Sequence, residues 1–232
     1  MSWMKHYARK FEAFKVILKK KDPVIVEIGA HFGEDSVRFS EAFPEGKIYC
    51  FEPDPRCITV FKKYVKNDRI KLFEVALSDS NGVANFFQSY DDTKSDFVPD
   101  KYDWIELEDY KNNKLSNSGS SSLKEGYRNN LDKISVNTQR FDSWHAENSP
   151  GNIDLAWIDV QGAEREVLKG FGDTISLVSH IWIEYGEKEY TGAMSRNETI
   201  KFLGEKGFDL LNMFSTPSFA PQGDLLFKRR EQ

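Results

Sequence analysis

A short β-branched apolar run, Val24, Ile25, Val26 and Ile28, is bounded by Pro23 and Gly29. Such a run reads as a strand buried on both faces, the setting of strands in a parallel sheet. Gly29 and Gly33 permit a tight turn, and Glu34 and Asp35 open a helix whose first turn favours acidic residues. Strand, glycine turn and helix together present backbone N–H groups to a ligand at the carboxyl edge of an open α/β sheet. The rest of the chain has to supply strands and helices that fit around this unit.

The turn narrows the ligand. A dinucleotide site prefers Gly-x-Gly-x-x-Gly, whose middle glycine lets a pyrophosphate approach the backbone. Here the spacing is Gly29-x-x-x-Gly33, and His31 stands where the middle glycine would be. Glu27 lies two residues before Gly29, inside an otherwise apolar strand. This Glu-x-Gly-x-x-x-Gly pattern resembles the first motif of the Rossmann-type S-adenosylmethionine-dependent methyltransferases. That ligand has no phosphate, and its ammonium group suits an acidic partner.

With 232 residues, 39% of them hydrophobic, the chain suits one α/β domain with a substantial core. A net charge of −5 speaks against a nucleic-acid backbone as the main partner. Cys50 lies in an apolar strand pattern and Cys57 at a helix start, so neither a cysteine metal site nor a disulfide framework is expected. No apolar run approaches the roughly 18 residues of a membrane span. Met-Ser-Trp-Met-Lys-His at the start has no signal-peptide core, and a cytoplasmic location is the expectation.

Trp3–Lys21 is helical in pattern, with Phe11, Phe14, Ile17 and Leu18 as its apolar stripe. Lys19, Lys20 and Lys21 read as a solvated cluster at the helix C-terminus. After the opening strand, a helix over Asp35–Phe43 leads to a second strand, Lys47–Phe51, which ends in Glu52. Glu52 lies 19 residues past Gly33. An acidic residue at the end of the second strand, roughly 20 residues on, can accept both ribose hydroxyls of a nucleoside. Arg56–Lys66 is the next helix and Ile70–Val75 the third strand, with Ser78 and Asp79 just beyond as candidates for the purine amine.

Val83–Phe87 is a short strand. Ser89–Asp132 then turns polar, with a serine run and the aromatics Tyr90, Tyr102, Trp104, Tyr110 and Tyr127. A long insertion in a compact domain is a functional lid or a disordered segment, and aromatics favour order. The remaining strands are Lys133–Arg140, Ile153–Asp159, His180–Tyr185, Phe208–Phe214 and Asp224–Lys228. Phe141–His145 is a short helix or turn, Gly162 starts a helix to Lys169, and Ser195 with Glu198 forms a capping box for a helix to Lys206.

Three segments read together: Glu27-Ile-Gly-Ala-His-Phe-Gly, Phe51-Glu-Pro-Asp-Pro, and Ile158-Asp-Val-Gln-Gly-Ala-Glu-Arg-Glu-Val-Leu-Lys-Gly. In this order, and with Ser121 before Leu123 and a late Leu-Leu-Phe-Lys strand, they resemble the FkbM family of S-adenosylmethionine-dependent methyltransferases. The resemblance runs from about Val24 to Phe227. It implies a single methyltransferase domain over 1–232, with residues 1–22 as an N-terminal helix and 89–132 as a candidate acceptor lid. The implied sheet is mostly parallel and seven-stranded, with a C-terminal antiparallel strand and helices on both faces. The implied activity is O-methylation, often of a sugar hydroxyl in a glycan or natural product. The chain departs from the family's usual pattern at His31, commonly Asn, at Trp157, commonly Lys, and at Gln161, commonly Glu.

Glu27, Gly29, Ala30, His31, Gly33, Glu52, Ser78, Asp79 and Asp159 form the expected cofactor set. Ligands in an open α/β sheet sit beyond the carboxyl ends of the strands, where Asp159 and Glu184 are placed. Either carboxylate could act as a general base, anchor the acceptor, or ligate a divalent ion such as Mg²⁺. His31 has a side chain suited to base work, although local packing in the turn competes with that role. Ser121, Gln161, Glu164 and Tyr185 complete the expected acceptor site. Trp157, Trp182 and His180 read as structural. Two other readings stand beside this one: a nicotinamide-dependent oxidoreductase of Rossmann type, and a non-catalytic nucleoside-binding module.

Overall fold

The computed structural model describes residues 11–94, 96–126, 131–186, 190–214 and 222–231. Residues 1–10, where the expected N-terminal helix begins, Tyr127 and residues 215–221 lie outside that set. In chain order the main elements are α1 (11–18), β1 (Val24–Ile28), α2 (Glu34–Ala42), β2 (Lys47–Phe51), α3 (Pro55–Tyr64) and β3 (Ile70–Phe73). Then come β4 (Ala76–Leu77), β5 (Gly82–Ser89), α4 (Leu107–Asn112), β6 (Leu131–Gln139), α5 (Phe141–Asn148), β7 (Ile153–Ile158) and α6 (Glu164–Gly170). The chain closes with β8 (Val178–Gly186), α7 (Arg196–Glu205), β9 (Phe208–Phe214) and β10 (Gln222–Arg229).

Seven strands form one sheet in the order β3-β2-β1-β7-β8-β10-β9. The first five run parallel, and β10 is antiparallel to both β8 and β9. The strand order reverses between β1 and β7. Such a switch point opens a crevice at the carboxyl edge, because the flanking connections leave to opposite faces.

Alternation along the strands builds two cores. Val26, Ile28, Phe51, Ile158, Ile181 and Ile183 face Phe141 and Trp144 of α5 and Val167 and Leu168 of α6. Ile25, Ile48, Cys50, Leu155, Trp157 and Trp182 face Phe11 and Phe14 of α1, Phe39 of α2 and Phe61 of α3. Each fully buried large side chain contributes roughly 1.5–3 kcal/mol, which favours this three-layer arrangement over any that exposes one face. Trp157 and Trp182 sit on adjacent strands with their rings stacked at 4.8 Å and 6°. His180 is buried near the start of β8, its Nδ1 3.3 Å from the Asp154 carbonyl oxygen.

The third strand stops at Phe73 instead of continuing to Val75. Ala76 and Leu77 instead pair with Thr138 and Gln139, so β4 joins a second sheet of order β4-β6-β5. Both ends expected for the 89–132 insertion belong to that sheet: Ser89 closes β5, and Asp132 pairs with Gln88. The segment between them has a core of its own, where Tyr102, Ile105, Tyr110 and Leu115 pack on Phe32, Cys57 and Val60. Its aromatics thus order a roof over the carboxyl edge of the main sheet. Among the described residues, no helix is long and apolar enough to cross a membrane.

Candidate active site

A cavity of about 480 Å³ opens at the switch point between β1 and β7, beneath the roof. That volume lies within the ~300–1,000 Å³ of small-molecule sites. Its floor is the turn after β1. Gly29 has φ +88° and His31 φ +51°, and the amides of Gly29 and Ala30 both donate to the Phe51 carbonyl at 3.0 Å. Gly33 is in the left-handed region at φ +86° as the N-cap of α2. It faces the Phe61 ring and not the cavity.

Glu52 lies at the end of β2, buried, and accepts backbone N–H bonds from His31 at 2.8 Å and from Asp54 at 2.7 Å. Burial pushes its carboxyl up to about 8, against the pull of those two donors. Glu27 is also buried, and Ser36 donates to it. Burial, and then the charge of Asp35, raise Glu27 well above the carboxylate range.

The other wall is built by β7 and β8. Ile158 is opposite Ile183, which brings the next residues, Asp159 and Glu184, abreast. Gln161, at φ +53°, folds back between them, its Nε2 2.6 Å from both Asp159 Oδ1 and Glu184 Oε2. Gln222 Nε2 donates to Glu184 Oε1 at 2.7 Å. Burial, and then Asp159, hold the Glu184 carboxyl well above its usual range. Strand β8 runs on to Gly186, so Glu184 lies within the strand and not at its end.

The roof is tied down from several sides. Arg56 donates to Asp54, to the Ser89 and Lys114 carbonyls, and to Ser121 Oγ. His31 Nε2 lies 2.8 Å from Ser118 Oγ, and His31 Nδ1 3.1 Å from Glu34 Oε1. Both ring nitrogens of His31 therefore have protein partners.

Of the expected residues, Glu27, Gly29, Ala30, His31, Glu52, Ser121, Asp159, Gln161 and Glu184 line one cavity. Ser78 and Asp79 do not. The Ser78 amide bonds to the Gln139 carbonyl, the Asp79 carbonyl accepts from Arg140, and Val75, Ala76 and Leu77 form the wall instead. Tyr185 points to the opposite face of β8, into the core with Ile183, as the period of two requires. Glu164 is buried outside the wall, where its Oε1 accepts the Gly162 amide and burial pushes its carboxyl up to about 7. Sequence reasoning missed Gln222, Lys101 and Tyr190. Their placement depends on chain segments remote from the motifs, and no local pattern marks them.

The description "Methyltransferase FkbM domain" fits residues 27–210 of this chain. A 2-O-methyltransferase NoeI of Sinorhizobium fredii is 34% identical over 91% of this chain and 82% of its own.

The chain belongs to the FkbM methyltransferase family.

A methyltransferase sdnD of Sordaria araneosa is 28% identical over 82% of this chain and 74% of its own. Among solved structures, the fibrillarin pre-rRNA processing protein of Methanococcus jannaschii shares the fold at a TM-score of 0.50 and 10% identity. That match covers 92% of this chain and 69% of that one. The FkbM enzyme is an S-adenosylmethionine-dependent methyltransferase, which sets aside the oxidoreductase and the non-catalytic module.

The cavity suits that cofactor. Six acidic side chains line it, Glu27, Glu34, Asp35, Glu52, Asp159 and Glu184, against one lysine, Lys101, with burial favouring the neutral form at Glu27, Glu52 and Glu184. A cationic sulfonium gains from such a field and a pyrophosphate would be repelled. Phe51, Val75 and Leu77 add an apolar slot of the kind a purine ring needs. Among the described residues, no group of three or more His, Cys, Asp or Glu could hold a metal ion. The gap between Asp159 and Glu184 already contains the N–H donors of Gln161, where a cation would need lone pairs.

Proposed function

We propose that the enzyme methylates a sugar hydroxyl in a glycan or natural product, with Asp159 as general base and Glu184 as acceptor anchor. The observation that carries this reading is the Asp159–Glu184 pair at the carboxyl edge, beside the Gly29 turn. The relative described as a 2-O-methyltransferase supports an oxygen acceptor.

When bound, S-adenosylmethionine supplies an electrophilic methyl group. Glu52 would hold the ribose hydroxyls, the turn from Gly29 to His31 with Glu27 would face the amino-acid end, and Phe51, Val75 and Leu77 would hold the purine. The chain then positions the acceptor oxygen in line, which accounts for much of the rate. A sugar hydroxyl is a weak acid, so Asp159 would take its proton as the C–O bond forms and the S–CH3 bond breaks, leaving a neutral thioether. Glu184, held by Gln161 and Gln222, anchors the acceptor. The roof over 89–132 acts as the acceptor lid, and Ser121 shapes its inner surface. The acidic lining disfavours a nucleic-acid acceptor. Both cysteines are free and buried, which suits a reducing compartment, and we assign the enzyme to the cytoplasm.

Incubation with labelled S-adenosylmethionine and a panel of mono- and oligosaccharides, phenols and RNA oligomers tests the reading. Label transfer to the saccharides is expected. Transfer confined to phenols or RNA would overturn it.

A further inference from the structure

Gln161 is a non-glycine residue in the left-handed region, and that strained backbone aims its side chain back between two carboxyl groups. Its amide is fully used. The two N–H groups reach Asp159 Oδ1 and Glu184 Oε2, and Oε1 lies 3.0 Å from the Tyr190 hydroxyl. Tyr190 lies against Gly162, where a β-carbon would come within 2.5 Å of the Tyr190 β-carbon. Its hydroxyl is also 3.0 Å from the Ser120 carbonyl in the roof.

We propose that Gln161 is a positioning residue for methyl transfer: its amide clamps Asp159 and Glu184 together, and Tyr190 fixes the amide's orientation. This rests on the reading of Asp159 as base.

In this chain, with Trp157 and Gln161 where the family commonly has Lys and Glu, the N–H donors to the pair come from Gln161 and Gln222. Two carboxyl groups abreast repel unless a proton or N–H groups lie between them. An acceptor-only side chain at 161 would sharpen the repulsion, whereas an amide relieves it with one N–H for each. Of the two, Glu184 is the member whose carboxyl is raised, by burial and then by Asp159. The other titratable groups facing the pair are Glu164 of α6, Asp224 of β10 and Tyr190. All of them leave the N–H groups of Gln161 and Gln222 as the local stabilisers of negative charge. The Tyr190 hydroxyl stands 3.0 Å from both the Gln161 amide oxygen and the Ser120 carbonyl, and its one proton is shared between the clamp and the roof.

The test is the pH profile of kcat for Gln161→Leu, Gln161→Glu and Tyr190→Phe, with KM for S-adenosylmethionine measured alongside. Loss of the N–H donors raises the proton affinity of Asp159, so the acidic limb of kcat should move to higher pH. Gln161→Leu should lower kcat about 10- to 100-fold through misplacement of the pair, with cofactor KM within about twofold of wild type. Gln161→Glu keeps length and shape and should move the limb the same way, and Tyr190→Phe should move it less. Wild-type kcat and an unmoved limb in folded Gln161→Leu and Gln161→Glu, with Asp159→Asn inactive, would overturn the clamp and leave the base in place. Wild-type turnover by Asp159→Asn would instead overturn the base, and the clamp's role with it.

Discussion

A β-carbon added to Gly29 would lie 1.8 Å from the carbonyl oxygen of Asp159. The cofactor turn and the proposed base are thus in backbone contact, although 130 residues separate them in the chain. The Asp159 amide donates to the Ile28 carbonyl at 3.0 Å, which locks the two strand ends together. Gly29→Ala is therefore expected to destabilise the fold by more than about 3 kcal/mol, the upper range for one strained residue. A chemical denaturation curve with a wild-type midpoint would contradict this.

Glu52→Ala should weaken S-adenosylmethionine binding by about 1–3 kcal/mol, the cost of a lost hydrogen-bond acceptor. Calorimetry reads it directly. An unchanged dissociation constant would remove Glu52 from the ribose site.

Glu52 also makes stability depend on pH. Its carboxyl moves from 4.5 to about 8 on burial, so between those values the folded state binds the extra proton. Stability then falls as pH rises through that window. Glu164, pushed up to about 7, contributes in the same direction. The melting temperature of the free protein should drop from pH 5 to pH 8, and Glu52→Gln should flatten part of the slope. A slope identical in wild type and variant would show that Glu52 carries no raised carboxyl.

Asp159→Asn should cut the catalytic rate by about 10²–10⁴-fold while cofactor affinity changes little, since the amide keeps the shape. Single-turnover kinetics with saturating cofactor separates the two effects. Near-normal turnover would exclude Asp159 as base.

Arg56 pairs with Asp54, the N-cap of its own helix, and joins α3 to the roof through Ser89, Lys114 and Ser121. Arg56→Ala should cost about 1.5–3 kcal/mol for hydrogen bonds to a charged group, and leave Asp54 buried without its cation. Hydrogen exchange should quicken at 114–122 before it quickens in the main sheet. Equal protection in variant and wild type would mean that the apolar packing of Tyr102, Tyr110 and Leu115 alone seats the roof.

Much of the site is legible locally. The apolar run before Gly29 specifies a buried strand, because β-branched residues without polar alternation fit only between two helical layers. Glu52 and Asp159 are each marked by an acid that follows an apolar strand, where a charge is tolerated only at the exit from the core. The capping box of Ser195 and Glu198 is present as its spacing requires.

Other features are set by contacts that no local pattern encodes. Alternation says that Tyr185 and Glu184 face opposite sides, but only the placement of β8 beside β7 decides which side is the cavity. Ser78 and Asp79 lie outside the wall because Ala76 and Leu77 left the main sheet to pair with β6, a choice made by partners some 60 residues away. The roof is ordered because its tyrosines found Phe32 and Val60, apolar surface that the sequence places far upstream. Gln161 reads as one polar residue among several in a helix entry. Its amide acquires a task only once the fold brings Asp159, Glu184 and Tyr190 around it. Period and composition determine which residues are strand, turn and core, since those depend on neighbours along the chain. Tertiary structure decided which carboxyl groups meet and what lies between them, because hydrogen bonds and burial are satisfied between segments distant in sequence.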